Sequence, residues 1–270
     1  MISVGLIGCG GIAQDLVTAL GNESPPPEVK IVAALVRSGR TEAARQRLAR
    51  IEIVETLDQL LAHRPELIAE VAGQQAVAQY GETVLRNGVD FLVISVGALA
   101  DAALFERLKS AAQASRSRIL LPAGAIGGID AIAAMRMGGL SLVRYRSRKP
   151  PLAWRGSPAE KLVDLAALAK PAVLYRGSAR EAALLYPQNA NVAAAITIAG
   201  LGFERTEVEL VADPAAPGNV HEIEVEGAAG RFVIELEGKP SRTNSEDLGL
   251  GGAQRGAGHP QRASRHRDLR

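Results

Sequence analysis

The chain has 270 residues, 47% of them apolar, which is enough for one large α/β domain or two smaller ones with a real core. Its 31 Lys and Arg against 29 Asp and Glu give a formal net charge of +2, and much of the basic excess lies in the ending GAQRGAGHPQRASRHRDLR, so no electrostatic case for nucleic acid follows. The single cysteine, Cys9, excludes an intrachain disulfide and a cysteine-built zinc site and fits a reducing, cytoplasmic compartment; no run of about 18 apolar residues suggests a membrane span.

Ile2 to Ile7 is an apolar run that ends in glycines and reads as a first strand, not a signal peptide. Gly11 to Ala19 is predicted as a helix, stopped by GNESPPPE. Val29 to Val36 is a second strand, Thr41 to Arg50 a helix with a wet face, and Glu66 to Val71 a third strand. A helix over Gln75 to Asn87, a strand over Phe91 to Ser95, a helix over Leu99 to Ala114 and a strand over Ile119 to Pro122 continue the rhythm. Alternating strands and helices with short connections predict an α/β, Rossmann-type parallel sheet covered on both faces, spanning residues 1–123.

The character then changes. Asp130 to Met137 is a predicted helix, Ser141 to Lys149 an alternating strand, and Glu160 to Ala169 and Asn191 to Leu201 are further helices. Thr206 to Ala212, Val220 to Glu226 and Arg231 to Glu237 alternate as antiparallel strands with one wet face. Residues 124–240 therefore read as a second, α+β domain whose sheet packs against something else, with a partner subunit as a candidate. From Ser241 onward the chain is rich in Gly, Arg, Ser and His, has no periodicity, and reads as a loosely structured tail.

The strongest motif is Gly8-Cys9-Gly10-Gly11-Ile12-Ala13, a G-x-G-x-x-A fingerprint that follows a predicted strand and opens a predicted helix. Gly8 suits the tight turn, Gly10 a close backbone approach to a pyrophosphate, and Ala13 close helix packing, while the helix N-terminus around Gly11 and Ile12 offers N–H groups to phosphates. An NAD or NADP cofactor is expected. At the end of the second strand stands Val36-Arg37-Ser38-Gly39-Arg40, with no carboxylate for a ribose. Arg37 or Arg40 suits a 2′-phosphate, with help from Ser38; alternatively Arg37 stacks on the adenine and NAD binds as well. Dual specificity is the expectation. Ala72-Gly73-Gln74 and Ser95-Val96-Gly97-Ala98 follow two further strands on the same edge, so Ala72 and Ser95 are candidate cofactor contacts. Glu70, just inside the first loop, reads equally as a satisfied polar residue.

Hydride transfer belongs to the cofactor, and the chain must supply a proton shuttle and substrate anchors. Of four histidines, His259 and His266 lie in the tail and His63 at a helix end. A glycine-rich turn delivers His221 to the start of a strand, where it can be held rigidly in a cleft, although the same position suits a core-edge histidine. Asn189 and Asn191 stand before an apolar helix, which either can cap, or either amide can grip cofactor or substrate. Arg148 and Lys149 offer cations to an anionic substrate. These features also fit a reductase acting on another imine or semialdehyde, or a cofactor-binding protein without turnover.

Seven segments in order resemble the L-aspartate dehydrogenase family: GLIGCGGIA, EVAGQQAVAQYG (Glu70 to Gly81), SVGALAD (Ser95 to Asp101), LPAGAIGGIDAI (Leu121 to Ile132), RKPPLAW (Arg148 to Trp154), YPQNANVAAAI (Tyr186 to Ile196) and NVHEIEVEG (Asn219 to Gly227). The resemblance implies reversible oxidation of L-aspartate to iminosuccinate with NAD or NADP, the imine hydrolysing to oxaloacetate and ammonia or feeding NAD biosynthesis. It implies His221 as the catalytic histidine, Asn189 and Ala123 as cofactor contacts, and a homodimer built through the second sheet. Lys149 then becomes the candidate for the dicarboxylate, with Asn191 as a second substrate contact. The resemblance stops near Asn244. The family continues with Asn-Pro-Lys-Thr-Ser-Ala and an apolar helix, whereas here Ser-Glu-Asp-Leu-Gly follows. Codons for the family's residues, read one base out of register, can spell Glu-Asp-Leu-Gly, so a frameshift is expected there, with an exposed apolar surface and reduced stability as its consequence.

Overall fold

The computed structural model describes residues 1–22, 28–124, 126–187 and 190–238. The expected frameshift and the tail from Ser241 lie outside the described residues, as does Asn189. The first half forms β1 (Ile2–Ile7), α1 (Gly11–Asn22), β2 (Val29–Leu35), α2 (Thr41–Arg47), β3 (Glu52–Val54), α3 (Leu57–Ala62), β4 (Leu67–Glu70), α4 (Gln74–Arg86), β5 (Asp90–Val93), α5 (Ala102–Ser115) and β6 (Ile119–Leu120). The strands pair in parallel in the order β3-β2-β1-β4-β5-β6. The order reverses at β1, so a crevice opens at its C-terminal end, where doubly wound sheets bind ligands. Apolar clusters cover both faces: Val4, Leu6, Ala13, Ala34, Leu48 and Ala69 on one, and Ile7, Leu60, Ile68, Val77 and Phe91 among those on the other.

Several boundaries differ from expectation. β3 and α3 were not predicted, because three residues of edge strand carry little periodicity. The start of α3 nevertheless has a capping box, in which the Gln59 backbone N–H donates to Thr56 Oγ1 and the Gln59 side chain accepts from the Thr56 N–H. The expected start of α5 at Leu99 is displaced: Val96–Ala100 is a 3₁₀ turn, and Asp101 caps the helix by accepting from Leu104 N at 3.0 Å.

The second half forms α6 (Ile129–Gly138), β7 (Leu140–Lys149), β8 (Ala172–Ser178), α7 (Ala179–Leu185), α8 (Ala190–Ala199), β9 (Glu207–Ala212), β10 (Asn219–Gly227) and β11 (Gly230–Gly238). The sheet order is β11-β10-β7-β9-β8. It is mixed rather than purely antiparallel, since β7 and β9 run parallel and the crossover between them carries β8, α7 and α8. The helix expected over Glu160 to Ala169 does not form. A 3₁₀ turn covers Pro158–Lys161, and Asp164 then accepts from the backbone N–H groups of Ala166 and Ala167 at 3.0 and 3.2 Å, an alternative to helical bonding.

The two faces of the second sheet differ. Val143, Tyr145, Ser147, His221, Ile223 and Val225 are buried on the inner side, while Arg144, Arg146, Arg148, Glu222, Glu224 and Glu226 alternate with them and stay partly exposed. α8 is apolar almost all round and packs against α6, α7, β7 and the 3₁₀ turn after β5, which ties the second sheet to the first.

Candidate active site

β1 runs directly into the glycine turn. Gly8 has φ +113°, and a Cβ there would lie 2.9 Å from the Val71 carbonyl oxygen, so glycine is required on both counts. Around Gly10 and Gly11 there is open space, with no atom within 4 Å of where a Cβ would stand. The N-terminus of α1 therefore faces a groove, with Ile12 half exposed on its first turn, while fully buried Ala13 lets the helix sit close to the sheet. The adjoining cleft of about 600 Å³ is lined by Gly8, Gly10, Ala72, Arg37, Arg40 and Arg47, among others. Among the described residues no carboxylate lines it. Arg47, from α2, is a third guanidinium that the sequence reading missed. The chemistry of this cradle fits a dinucleotide: it offers open backbone space at Gly10 and Gly11 and guanidinium groups at Arg37, Arg40 and Arg47.

Glu70 organises the next two loops. It is fully buried at the end of β4, where Oε1 accepts from the Ala72 and Gly73 backbone N–H groups at 2.7 and 2.6 Å and from Ser95 Oγ at 3.1 Å, and Oε2 accepts from Ser95 N at 3.0 Å. It is thus the satisfied polar residue the sequence suggested, with the added effect of locking the β4 and β5 loops together. Consequently the Ala72 N–H and the Ser95 hydroxyl are already engaged inside the protein, which leaves exposed surface at Ala72 and a buried Ser95 behind it.

The second half of the chain joins this edge through α8. Asn191 Oδ1 accepts from Gly97 N at 2.9 Å, Gln74 Nε2 donates to the Pro187 carbonyl at 3.0 Å, and Arg180 donates to the Ala100 carbonyl. Gly97 is a close-approach position, since a Cβ would lie 2.8 Å from Ala190 Cβ and 2.7 Å from Gln74 Nε2. Ala123 lies exposed just beyond β6, at the C-terminal edge of the same sheet.

Tyr186 meets Trp154 edge to face at 6.0 Å, and Lys149 Nζ stands 5.5 Å from the Trp154 ring. His221, 7% exposed, sits opposite Ser147 on the neighbouring strand, and its Nδ1 lies 2.7 Å from Tyr145 Oη. Burial, and then the Lys149 charge, push the imidazole from its ordinary 6.5 down to about 4, while burial raises the Tyr145 phenol well above its usual value. The ring is therefore neutral in the free protein near neutrality and able to accept a proton. Sequence reading missed Tyr145, because a buried tyrosine in an alternating strand carries no signal of its own before its cross-strand partner is known.

The comparisons agree with this layout. Residues 8–122 match the family model "Homoserine dehydrogenase, NAD binding domain" and residues 130–253 match "Aspartate dehydrogenase, C-terminal". The L-aspartate dehydrogenase of Pseudomonas aeruginosa is 45% identical over 93% of both chains, and that of Ruegeria pomeroyi 45% identical over 92% of this chain and 88% of its own. The crystal structure of aspartate dehydrogenase from Thermotoga maritima superposes with a TM-score of 0.70 at 29% identity, covering 92% of each chain. An NAD(P)-type Rossmann half, a second half of the aspartate dehydrogenase type and this level of identity along nearly the whole chain lead to one conclusion: the protein belongs to the L-aspartate dehydrogenase family.

Proposed function

We propose that the protein catalyses the reversible oxidation of L-aspartate to iminosuccinate with NAD or NADP, the imine then hydrolysing to oxaloacetate and ammonia. The observation that carries this reading is a buried, neutral imidazole, His221, held beside Lys149 on a sheet whose helix α8 caps the cofactor edge at Gly97. The relatives' named activity supports it.

Residues 1–123 would hold the cofactor and residues 124–240 the substrate and the subunit contact. Gly8, Gly10, Gly11 and Ile12 would carry the pyrophosphate, Arg37 with Arg40 the adenosine end, and the loops at Ala72, Ser95 and Ala123, together with Asn189, the ribose and nicotinamide. The bound nicotinamide supplies the hydride acceptor. Lys149 would hold a carboxylate of the substrate, a cation that selects a dicarboxylic amino acid, and Asn191 would orient it from the start of α8. His221 would take a proton from water as the water oxygen bonds the protonated imine carbon, then return it to nitrogen; as the carbon–nitrogen bond breaks, ammonia leaves, the oxygen forms the carbonyl and the remaining hydroxyl proton passes to solvent. The aspartate carboxylates, once beside the ring, favour its charged form and so strengthen it as a base. The protein is expected to work in the cytoplasm as a homodimer; among the described residues no helix is long and apolar enough to cross a membrane.

Product analysis tests the reading. Incubation with L-aspartate and either oxidised nucleotide should release oxaloacetate, ammonia and reduced nucleotide in equal amounts. Reduced nucleotide formed from another amino acid in preference to aspartate would contradict it.

A further inference from the structure

The mechanism needs an imidazole whose Nε2 carries a lone pair, but nothing in the role of His221 alone dictates which nitrogen holds the ring proton. The inner face of the second sheet supplies a device for this. Tyr145 and Ser147 follow one another on the same face of β7, and His221 is the cross-strand neighbour of Ser147 on β10. The Tyr145 and His221 rings lie nearly parallel, 17° apart with centroids at 6.0 Å, and their polar atoms meet at 2.7 Å. All three side chains are buried, at 1%, 1% and 7% exposure for Tyr145, Ser147 and His221, so water does not compete for the Tyr145–His221 bond. Ser147 Oγ, buried on the same face of β7, has no hydrogen-bond partner among the described residues, so it is a buried polar atom in need of one.

We infer that Tyr145 is a positioning residue for His221: its phenol oxygen accepts the Nδ1–H, its own proton goes to Ser147 Oγ, and the tautomer so fixed leaves Nε2 bare. The inference rests on the proton-handling role proposed for His221. It follows the logic by which a third group orients the base of a catalytic triad, with one difference. A neutral phenol orients the ring without adding a negative charge to stabilise the imidazolium. The ring therefore stays neutral until substrate arrives. Among the described residues the titratable groups acting on the ring are Tyr145 and Lys149, both from β7, and Lys149 also opposes protonation. A lone Nδ1 with no acceptor would revert to the Nε2–H form that histidine favours in solution, which has no lone pair at Nε2 for a water proton.

The test is the tautomer itself. The chain carries four histidines, so ¹⁵N-histidine labelling gives few signals, and His221→Ala identifies the one that matters. Long-range proton–nitrogen spectra near neutrality should show Nδ1 protonated and Nε2 bare in the wild type. Tyr145→Phe should convert His221 to the Nε2–H form or a mixture, lower kcat on the order of 10- to 100-fold and shift the acid limb of its pH profile, with KM for aspartate within about two-fold. Ser147→Ala should give a partial shift in the same direction. A wild-type His221 in the Nε2–H form would overturn the inference without any variant. So would a Tyr145→Phe protein that is merely less stable, with tautomer and pH profile unchanged. Full activity in His221→Ala would instead remove the proton role itself, and the two failures are distinguished by which protein shows them.

Discussion

His221 shows how one strand position acquires a chemical task. Removing the ring from water lowers its proton affinity, and the Lys149 charge lowers it further. This has a consequence for stability. Above pH 6.5 the ring is neutral in both folded and unfolded chains, and its environment costs nothing. As pH falls from 6.5 toward about 4 the unfolded chain binds a proton that the folded site refuses, so stability drops, by on the order of 3 kcal/mol across that window. Chemical denaturation at a series of pH values should show this loss in the wild type and a smaller one in His221→Gln; equal slopes would contradict it. Sequence alone reached His221 through its glycine-rich approach, but not Tyr145. A tyrosine in an alternating strand is ordinary core material until its cross-strand partner is known.

At the scale of elements, the junction between α8 and the loop after β5 brings the two halves together. Three small or amide residues, Gly97, Ala190 and Asn191, meet there, and Gly97 has no room for a methyl group. Gly97→Ala should push the start of α8 away, destabilise the protein by about 1–3 kcal/mol and weaken cofactor binding, seen as a lower thermal midpoint and a higher Kd for NADH. An unchanged midpoint and Kd would show that the junction yields freely. The glycine fingerprint and the long strands of the first sheet were legible because pattern and context agree there. β3 and β8 were not, since the three residues of Glu52–Val54 and the seven of Ala172–Ser178 lack clear alternation. The false helix over Glu160 to Ala169 had suitable propensity, yet Asp164 bonds its own following backbone instead. The parallel pairing of β7 with β9 depends on a crossover that no local pattern displays.

For the whole molecule, the outer face of the second sheet is the surface to explain. Arg144 bridges Glu207 and Glu224 at 2.8 Å each, Arg146 bridges Glu209 and Glu222 at 2.6 and 3.2 Å, and Arg148 bridges Asp213 and Glu235 at 3.4 and 2.9 Å. Burial acts to raise the Glu209 carboxyl, but Arg176 and Arg146 outweigh it and hold the group below the usual carboxylate range. Charges paired in this way leave the face largely neutralised, with Val173 and Val233 exposed on it, and this is the face on which the proposed second copy would seat. Sedimentation equilibrium should give twice the 28.3 kDa chain mass, and Val233→Arg should shift it toward one; a wild-type monomer would refute the dimer.

The central claim is tested most directly by mixing the purified protein with L-aspartate and following nicotinamide reduction, with NAD and NADP in separate reactions. The account predicts aspartate-dependent reduction of both nucleotides, with the NADP reaction lost more than the NAD reaction when Arg37 and Arg40 are both replaced by alanine. A folded protein that binds reduced nucleotide yet reduces neither with aspartate would contradict it.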